Sequence, residues 1–101
     1  MTRRYILVKV VYDRKITNEQ LDEALNSSAK RYFGEVGLSR IDPRIIRFDA
    51  DSSTAIISCE RNATPEFGAA IALITTYAEA PMSILPLRVS GTVKGAARRE
   101  K

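Results

Sequence analysis

The run Arg4-Tyr5-Ile6-Leu7-Val8-Lys9-Val10-Val11-Tyr12 constrains the fold more than any other part of the chain. β-Branched and aromatic side chains fill it almost without a break. Such residues pack well on a pleated surface and crowd the turns of a helix. The run therefore predicts a strand, and one apolar on most of both faces, which belongs in the interior of a sheet. Alternation sends Ile6, Val8 and Val10 to one side and Tyr5, Leu7, Lys9 and Val11 to the other.

The rest of the chain supplies partners for that strand. Asp13-Arg14-Lys15 is a polar turn. Thr17 then reads as an N-cap, with Gln20 completing a capping box and Ile16 as a staple. Leu21, Leu25, Tyr32 and Phe33 follow at helical spacing, and Gly34 or Gly37 can end the helix. After the turn at Asp42-Pro43 come two short strands, residues 44–49 and 54–59, joined by a hairpin connection over residues 50–53. Thr64 as N-cap and Pro65 at the first helical position start a second helix that runs to about Tyr77. Residues 82–89 are the last strand, where Pro86, lacking a donor, calls for an edge or a bulge. The order β-α-β-β-α-β predicts an α+β, ferredoxin-like (RRM-like) sandwich with two helices on one face of an antiparallel sheet. It forms one domain over residues 1–93, followed by a basic C-terminal tail, 94–101.

Charge and chemistry narrow the function. The formal net charge is +4 in 101 residues. Lys94, Arg98, Arg99 and Lys101 against Glu100 place most of the excess in the tail, and Arg3-Arg4 add a smaller cluster. Basic segments of this kind suit a polyanion, because each neutralised phosphate releases condensed counterions. If the helices cover the more apolar sheet face, Lys9, Arg47 and Arg88 decorate the open one, with Arg61 at a strand end. The residues Ser58-Cys59-Glu60-Arg61 hold no aromatic for base stacking, so phosphate and shape contacts are expected in place of base readout. The chain has no histidine, no glycine-rich phosphate loop and one cysteine, Cys59, which reads as a small core residue. Asp49 and Asp51 read as turn formers before cation ligands. An enzyme acting alone is not expected.

The second helix carries a different signal. Phe67, Ala70, Ile71, Ile74 and Tyr77 make its core stripe, yet Ala69, Ala72, Leu73 and Thr76 leave the back nearly uncharged. A surface helix normally has a polar back, so these four are read as a protein interface. No apolar run nears the roughly 20 residues of a membrane span. The start, Met1-Thr2-Arg3-Arg4, leads straight into the strand-like run, so no secretory signal is expected and the cytoplasm is the expected compartment.

Several of these residues resemble one family. Arg4-Tyr5-Ile6-Leu7-Val8, the strand end Cys59-Glu60-Arg61 with the alanine-rich helix behind it, and above all Ser90-Gly91-Thr92-Val93-Lys94 followed by Gly95-Ala96-Ala97-Arg98 are similar to the archaeal ribonuclease P protein component 2 family, shared with eukaryotic ribonucleases P and MRP. The resemblance covers roughly residues 4–98. It implies a non-catalytic subunit that assists an RNA enzyme in removing the 5′ leader of precursor tRNA. It implies Mg2+ used by that RNA, with no cofactor bound by the protein. The implied partners are ribonuclease P RNA, precursor tRNA and a larger protein subunit, component 3, in a homodimer or heterotetramer. A ferredoxin-like dimerisation or small-ligand regulatory module shares the topology. Such a module should carry a glycine-rich loop after the first strand, where this chain has Asp13-Arg14-Lys15.

Overall fold

A computed structural model describes residues 2–97 of the chain. Arg98, Arg99 and Lys101 of the expected basic tail lie outside the described residues. The elements are β1 (Arg3–Tyr12), α1 (Asn18–Ile41), β2 (Arg44–Asp49), β3 (Thr54–Glu60), a 3-10 turn (Arg61–Ala63), α2 (Thr64–Ala72), β4 (Thr76–Tyr77), β5 (Ala80–Ser90) and α3 (Val93–Ala97). The strands form one antiparallel sheet in the order β2-β3-β1-β5-β4. The ferredoxin-like arrangement read from the sequence is present, with β4 and α3 added.

β1 pairs with β3 through Arg3↔Glu60 to Lys9↔Thr54 and with β5 through Tyr5↔Ser90 to Tyr12↔Met82. On its helix side Ile6, Val8 and Val10 are buried together with Leu21 and Leu25 of α1, Ile57 and Cys59 of β3, and Phe67 and Ile71 of α2. Burying side chains of this size stabilises the fold by about 1.5–3 kcal/mol each. The capping box forms as expected: Thr17 Oγ1 accepts from Gln20 N at 3.1 Å, and Gln20 Oε1 accepts from Thr17 N at 3.0 Å. Ile16 is buried beside it.

Several details differ from the sequence reading. Gly34 takes φ 74° and breaks α1, but the helix resumes and ends at Ile41. Tyr32, just before that break, faces solvent and is not core. α2 stops at Ala72, not near Tyr77. The β-branched residues Ile74-Thr75-Thr76 and Tyr77 favour extended backbone, and Thr76-Tyr77 pair with Ala80-Pro81 as a hairpin. Thr64 is not an N-cap: its Oγ1 donates back to Arg61 O at 2.8 Å, and the 3-10 turn leads into the helix. In β2, Ile45 pairs with Ile57 and Arg47 with Ile56, so Ile46 is the extra residue of a bulge. Ile45 and Phe48 therefore share the helix side.

Pro86 occupies the kind of position its ring demands. Val10 donates its N–H to Ser53 O beside β3, and Met82 donates to Thr75 O beside β4. Main-chain direction alternates along an antiparallel strand. Ile84 and Pro86 therefore also turn their nitrogens away from β1, and the missing N–H interrupts no bond to it. Immediately afterwards Leu87 is a bulge residue, since Pro86 pairs with Val8 and Arg88 with Leu7.

One side chain locks the start of β1. Arg3 Nη1 lies 3.0 Å from Asp42 Oδ2 and 3.3 Å from Glu60 Oε2. Its Nη2 donates to Asp42 O at 2.6 Å and to Ser58 Oγ at 2.8 Å. Asp42 is the left-handed C-cap of α1 at φ 49°, a conformation unusual for a residue with a side chain. Arg44 also reaches its carboxylate, at 2.9 Å. Arg3→Ala should lower the stability to denaturant by about 1–3 kcal/mol, because it strands the buried Ser58 hydroxyl and leaves Glu60 unpaired, while Asp42 keeps Arg44. A midpoint within experimental error of wild type at unchanged m-value would show that the network is dispensable.

Candidate functional site

The sheet's second face is covered in part, and Lys9, Val11 and Leu85 stay exposed on the remainder. β5 ends at Ser90, and Val93–Ala97 form α3, which packs against β1, β3 and β5. The expected domain boundary after residue 93 thus falls inside a helix that belongs to the fold. Ala96 is fully buried, and Ile56, whose register places it beside Leu7 on this face, is only 4% exposed. The motif Ser90-Gly91-Thr92-Val93-Lys94 makes the turn that reverses the chain. Ser90 Oγ accepts from Thr92 N at 3.2 Å, Thr92 Oγ1 from Gly95 N at 2.9 Å, and Thr92 O from Ala96 N at 3.1 Å. Gly95 is required by proximity, since a Cβ there would lie 2.2 Å from Ser90 Oγ. At Gly91 a Cβ would come within 3.0 Å of Arg4 Nη1.

The basic residues singled out from the sequence meet different fates. Arg3 is committed to the Asp42, Ser58 and Glu60 network, 15% exposed, and presents no free cation. Arg4 is partly buried against the Gly91 turn. Lys9 is exposed on the α3 side, with its Nζ donating to Ser52 O at 2.8 Å. Arg88 is partly buried opposite Leu7. Arg61 is exposed at the far end of β3, where its N–H donates to Thr2 O. Arg47 and Lys94 are brought together: both are exposed and line one shallow notch with Val93 and Ala97. Forty-seven sequence positions apart, they share this notch because α3 folds back onto the sheet face that carries Arg47.

The opposite surface holds a groove. Ala69, Ala72, Leu73 and Thr76 are all exposed, as the apolar back of the second helix predicts, although Thr76 reaches this surface from β4. The groove encloses about 340 Å³ between Glu23, Ser27, Arg31 and Tyr32 of α1 and the segment Leu73–Tyr77. Ser28 seals its floor by donating to Ala70 O at 2.7 Å. Tyr77 Oη donates to Glu23 Oε1 at 2.6 Å, Tyr12 Oη donates to Tyr77 O at 2.9 Å, and the two rings meet edge to face at 6.1 Å. The bond to Glu23 holds the Tyr77 hydroxyl protonated up to about 12. Sequence reading missed Arg31 and Tyr32 as surface groups: Tyr32 fits the helical core stripe by spacing, yet it stands exposed at the groove.

The groups with potential for acid–base or nucleophilic work are occupied structurally. Burial pushes the Cys59 thiol up, and its Sγ lies 3.7 Å from Thr64 Oγ1. The Ser52 hydroxyl, and after it the N–H groups of Ser52 and Asp51 from which Asp49 Oδ1 accepts across the hairpin turn, hold the Asp49 carboxyl below the usual range. Among the described residues no group of three His, Cys, Asp or Glu side chains can hold a metal ion. Nor is any helix among them long and apolar enough to cross a membrane.

Comparison with known proteins fits this geometry. The model of the Rpp14/Pop5 family matches residues 4–100. The chain is 31% identical over 97 residues to ribonuclease P protein component 2 of Pyrococcus furiosus, covering 96% of this chain and 81% of that protein. It is 29% identical over 94 residues to the protein of the same name from Methanocaldococcus jannaschii, covering 93% and 69%. The fold superimposes on a chain in the cryo-EM structure of yeast ribonuclease MRP with TM-score 0.76, over 90% of this chain and 75% of that one, at 18% identity.

Two outcomes are expected here. Ala96→Glu should lift α3 at a cost of about 1–3 kcal/mol, because a long charged side chain cannot occupy the space of a buried methyl. Amide exchange over residues 93–97 should accelerate while the rest of the sheet stays protected, and slow exchange in the variant would refute the anchor. In alkaline titration, one of the four tyrosines should ionise last, near 12, and Glu23→Gln should bring it down. Its folded value lies above the unfolded value of about 10, so its contribution to stability is complete below that pH and is lost as pH rises through the folded value. Phenolate absorbance of wild type and Tyr77→Phe identifies the group.

Proposed function

Because the chain belongs to the Rpp14/Pop5 family, we propose that it works as a protein subunit of ribonuclease P in the cytoplasm. In this reading it binds ribonuclease P RNA and leaves cleavage of the precursor tRNA 5′ leader to that RNA. The observation that carries the reading is that Arg47 and Lys94 line one shallow notch beside α3. Two exposed cations from distant parts of the chain, flanked by Val93 and Ala97, offer point charges to a phosphate backbone and no platform for stacked bases. Lys9, Arg61 and Arg88 extend the same character around the sheet, and Arg98 and Arg99 add charge next to it in sequence. The Ser90-Lys94 motif serves this arrangement by building the turn that delivers Lys94.

The occupied state of Cys59 and Asp49 supports a non-catalytic role, with Mg2+ belonging to the RNA. The other proposed partner is ribonuclease P protein component 3, engaged in a heterotetramer or beside a homodimer through the surface that carries Ala69, Ala72, Leu73 and Thr76.

Reconstitution with ribonuclease P RNA and component 3, scored by cleavage of precursor tRNA, tests the reading. Protein freed of RNA should leave precursor tRNA intact in the presence of magnesium. The Arg47→Glu, Lys94→Glu double variant should weaken RNA binding and flatten the slope of log K against log salt by about 1.5, from about 0.7–0.9 for each lost phosphate contact. An unchanged slope would remove the notch from the RNA interface.

A further inference from the structure

We propose that the groove between α1 and the Leu73–Tyr77 segment receives an extended segment of a protein partner, one that offers an aliphatic side chain beside a carboxylate. Three features define that chemistry. Tyr32 and Leu73 both line the groove, each 45% exposed, and give it apolar surface that water covers poorly. Arg31 stands at the same wall with its guanidinium 5.6 Å from the Tyr32 ring. Among the described residues it pairs with no carboxylate, whereas the neighbouring Glu23 is engaged by Tyr77 and Lys30 pairs with Glu35. The groove thus carries one uncommitted positive charge next to apolar surface.

The third feature is main chain. β4 is the last strand of the sheet and has a neighbour on one side only. Thr75 O accepts from Met82 N, on the β5 side. By alternation, the N–H and C=O of Thr76 point away from β5. Pro81, opposite Thr76, has no N–H to give in any case. Thr76 lines the groove, so a strand laid along β4 gains a backbone pair there, its aliphatic side chain meets the apolar surface of Tyr32 and Leu73, and its carboxylate reaches Arg31. A nucleic-acid backbone fits poorly, because Glu23 and the apolar surface meet no complementary group on it. Ala69 and Ala72 of α2 add exposed apolar surface close to Leu73 in the chain.

The inference rests on the subunit reading for its probe, ribonuclease P protein component 3. Full-length wild-type protein and the single variants Arg31→Glu, Tyr32→Ala and Leu73→Glu are measured against component 3 by calorimetry, with thermal melts confirming that each is folded. Ala50→Glu, in the exposed connection between β2 and β3 at the opposite edge of the sheet, is the control. The expected result is a loss of at least about tenfold in affinity for each groove variant that folds, none for the control, and retention in Arg31→Lys. Groove variants that bind as tightly as wild type overturn the inference and leave the subunit reading standing. If wild type itself does not bind component 3, the partner reading falls and the inference with it. Loss confined to ribonuclease P RNA binding, or to self-association seen by light scattering, overturns it in favour of RNA or of a second copy.

Discussion

The fold depends on the hydrogen bonding of β1 to strands on both sides. β3 occupies one edge and β5 the other. Main-chain groups in a strand so placed have nowhere else to turn, and its helix side carries the middle of the core. Everything else is arranged around that strand. The Arg3 network ties its first residue to β3 and to the end of α1, and α3 presses on its other face through Ala96. The short β4 extends the sheet past β5 and in doing so builds one wall of the groove.

Much of this was legible in the sequence because it is local. A capping box needs residues three apart, a hairpin needs a polar connection between two β-branched runs, and a proline in a strand needs an edge or a bulge. All three requirements stand within a few positions of Thr17, Asp49 and Pro86. The features that escaped are tertiary. α3 has five residues, one of them glycine, and no amphipathic period long enough to read. It is a helix here because Ala96 is buried where α3 packs on β1, β3 and β5. The end of α2 escaped for a related reason: Ile74 and Tyr77 fit a helical stripe and a strand equally well, and the pairing with Ala80-Pro81 decides between them. Arg3 looked like a free cation because its partners lie 39, 55 and 57 positions away.

The candidate site shows the same division. Composition exposed the basic bias and the bare back of the second helix; Lys9, Arg47, Arg61 and Lys94 are exposed, as are Ala69, Ala72, Leu73 and Thr76, whereas Arg3, Arg4 and Arg88 are partly buried. Which cations stand together did not follow from composition, because Arg47 and Lys94 are joined by the reversal at Ser90-Gly91-Thr92. The sheet order also sets β2 and β4 at opposite edges. The basic notch and the groove therefore sit apart, with the width of the sheet between them, and one need not be vacated for the other to be used.

The pairing of β1 with β5 also has a consequence in time. Val10 meets Ile84 across more than seventy residues of intervening chain. At about 5–20 residues per second, a ribosome needs roughly 4–15 s to make that stretch. During that interval the most apolar and β-prone segment of the protein is already synthesised while one of its two edges has no native partner. Nascent chains in this condition are the ones that holding chaperones retain and that misassemble when overproduced. The protein is thus committed to finishing its fold late, after β5 has been made, and its yield in a cell depends on how well that first strand is shielded until then.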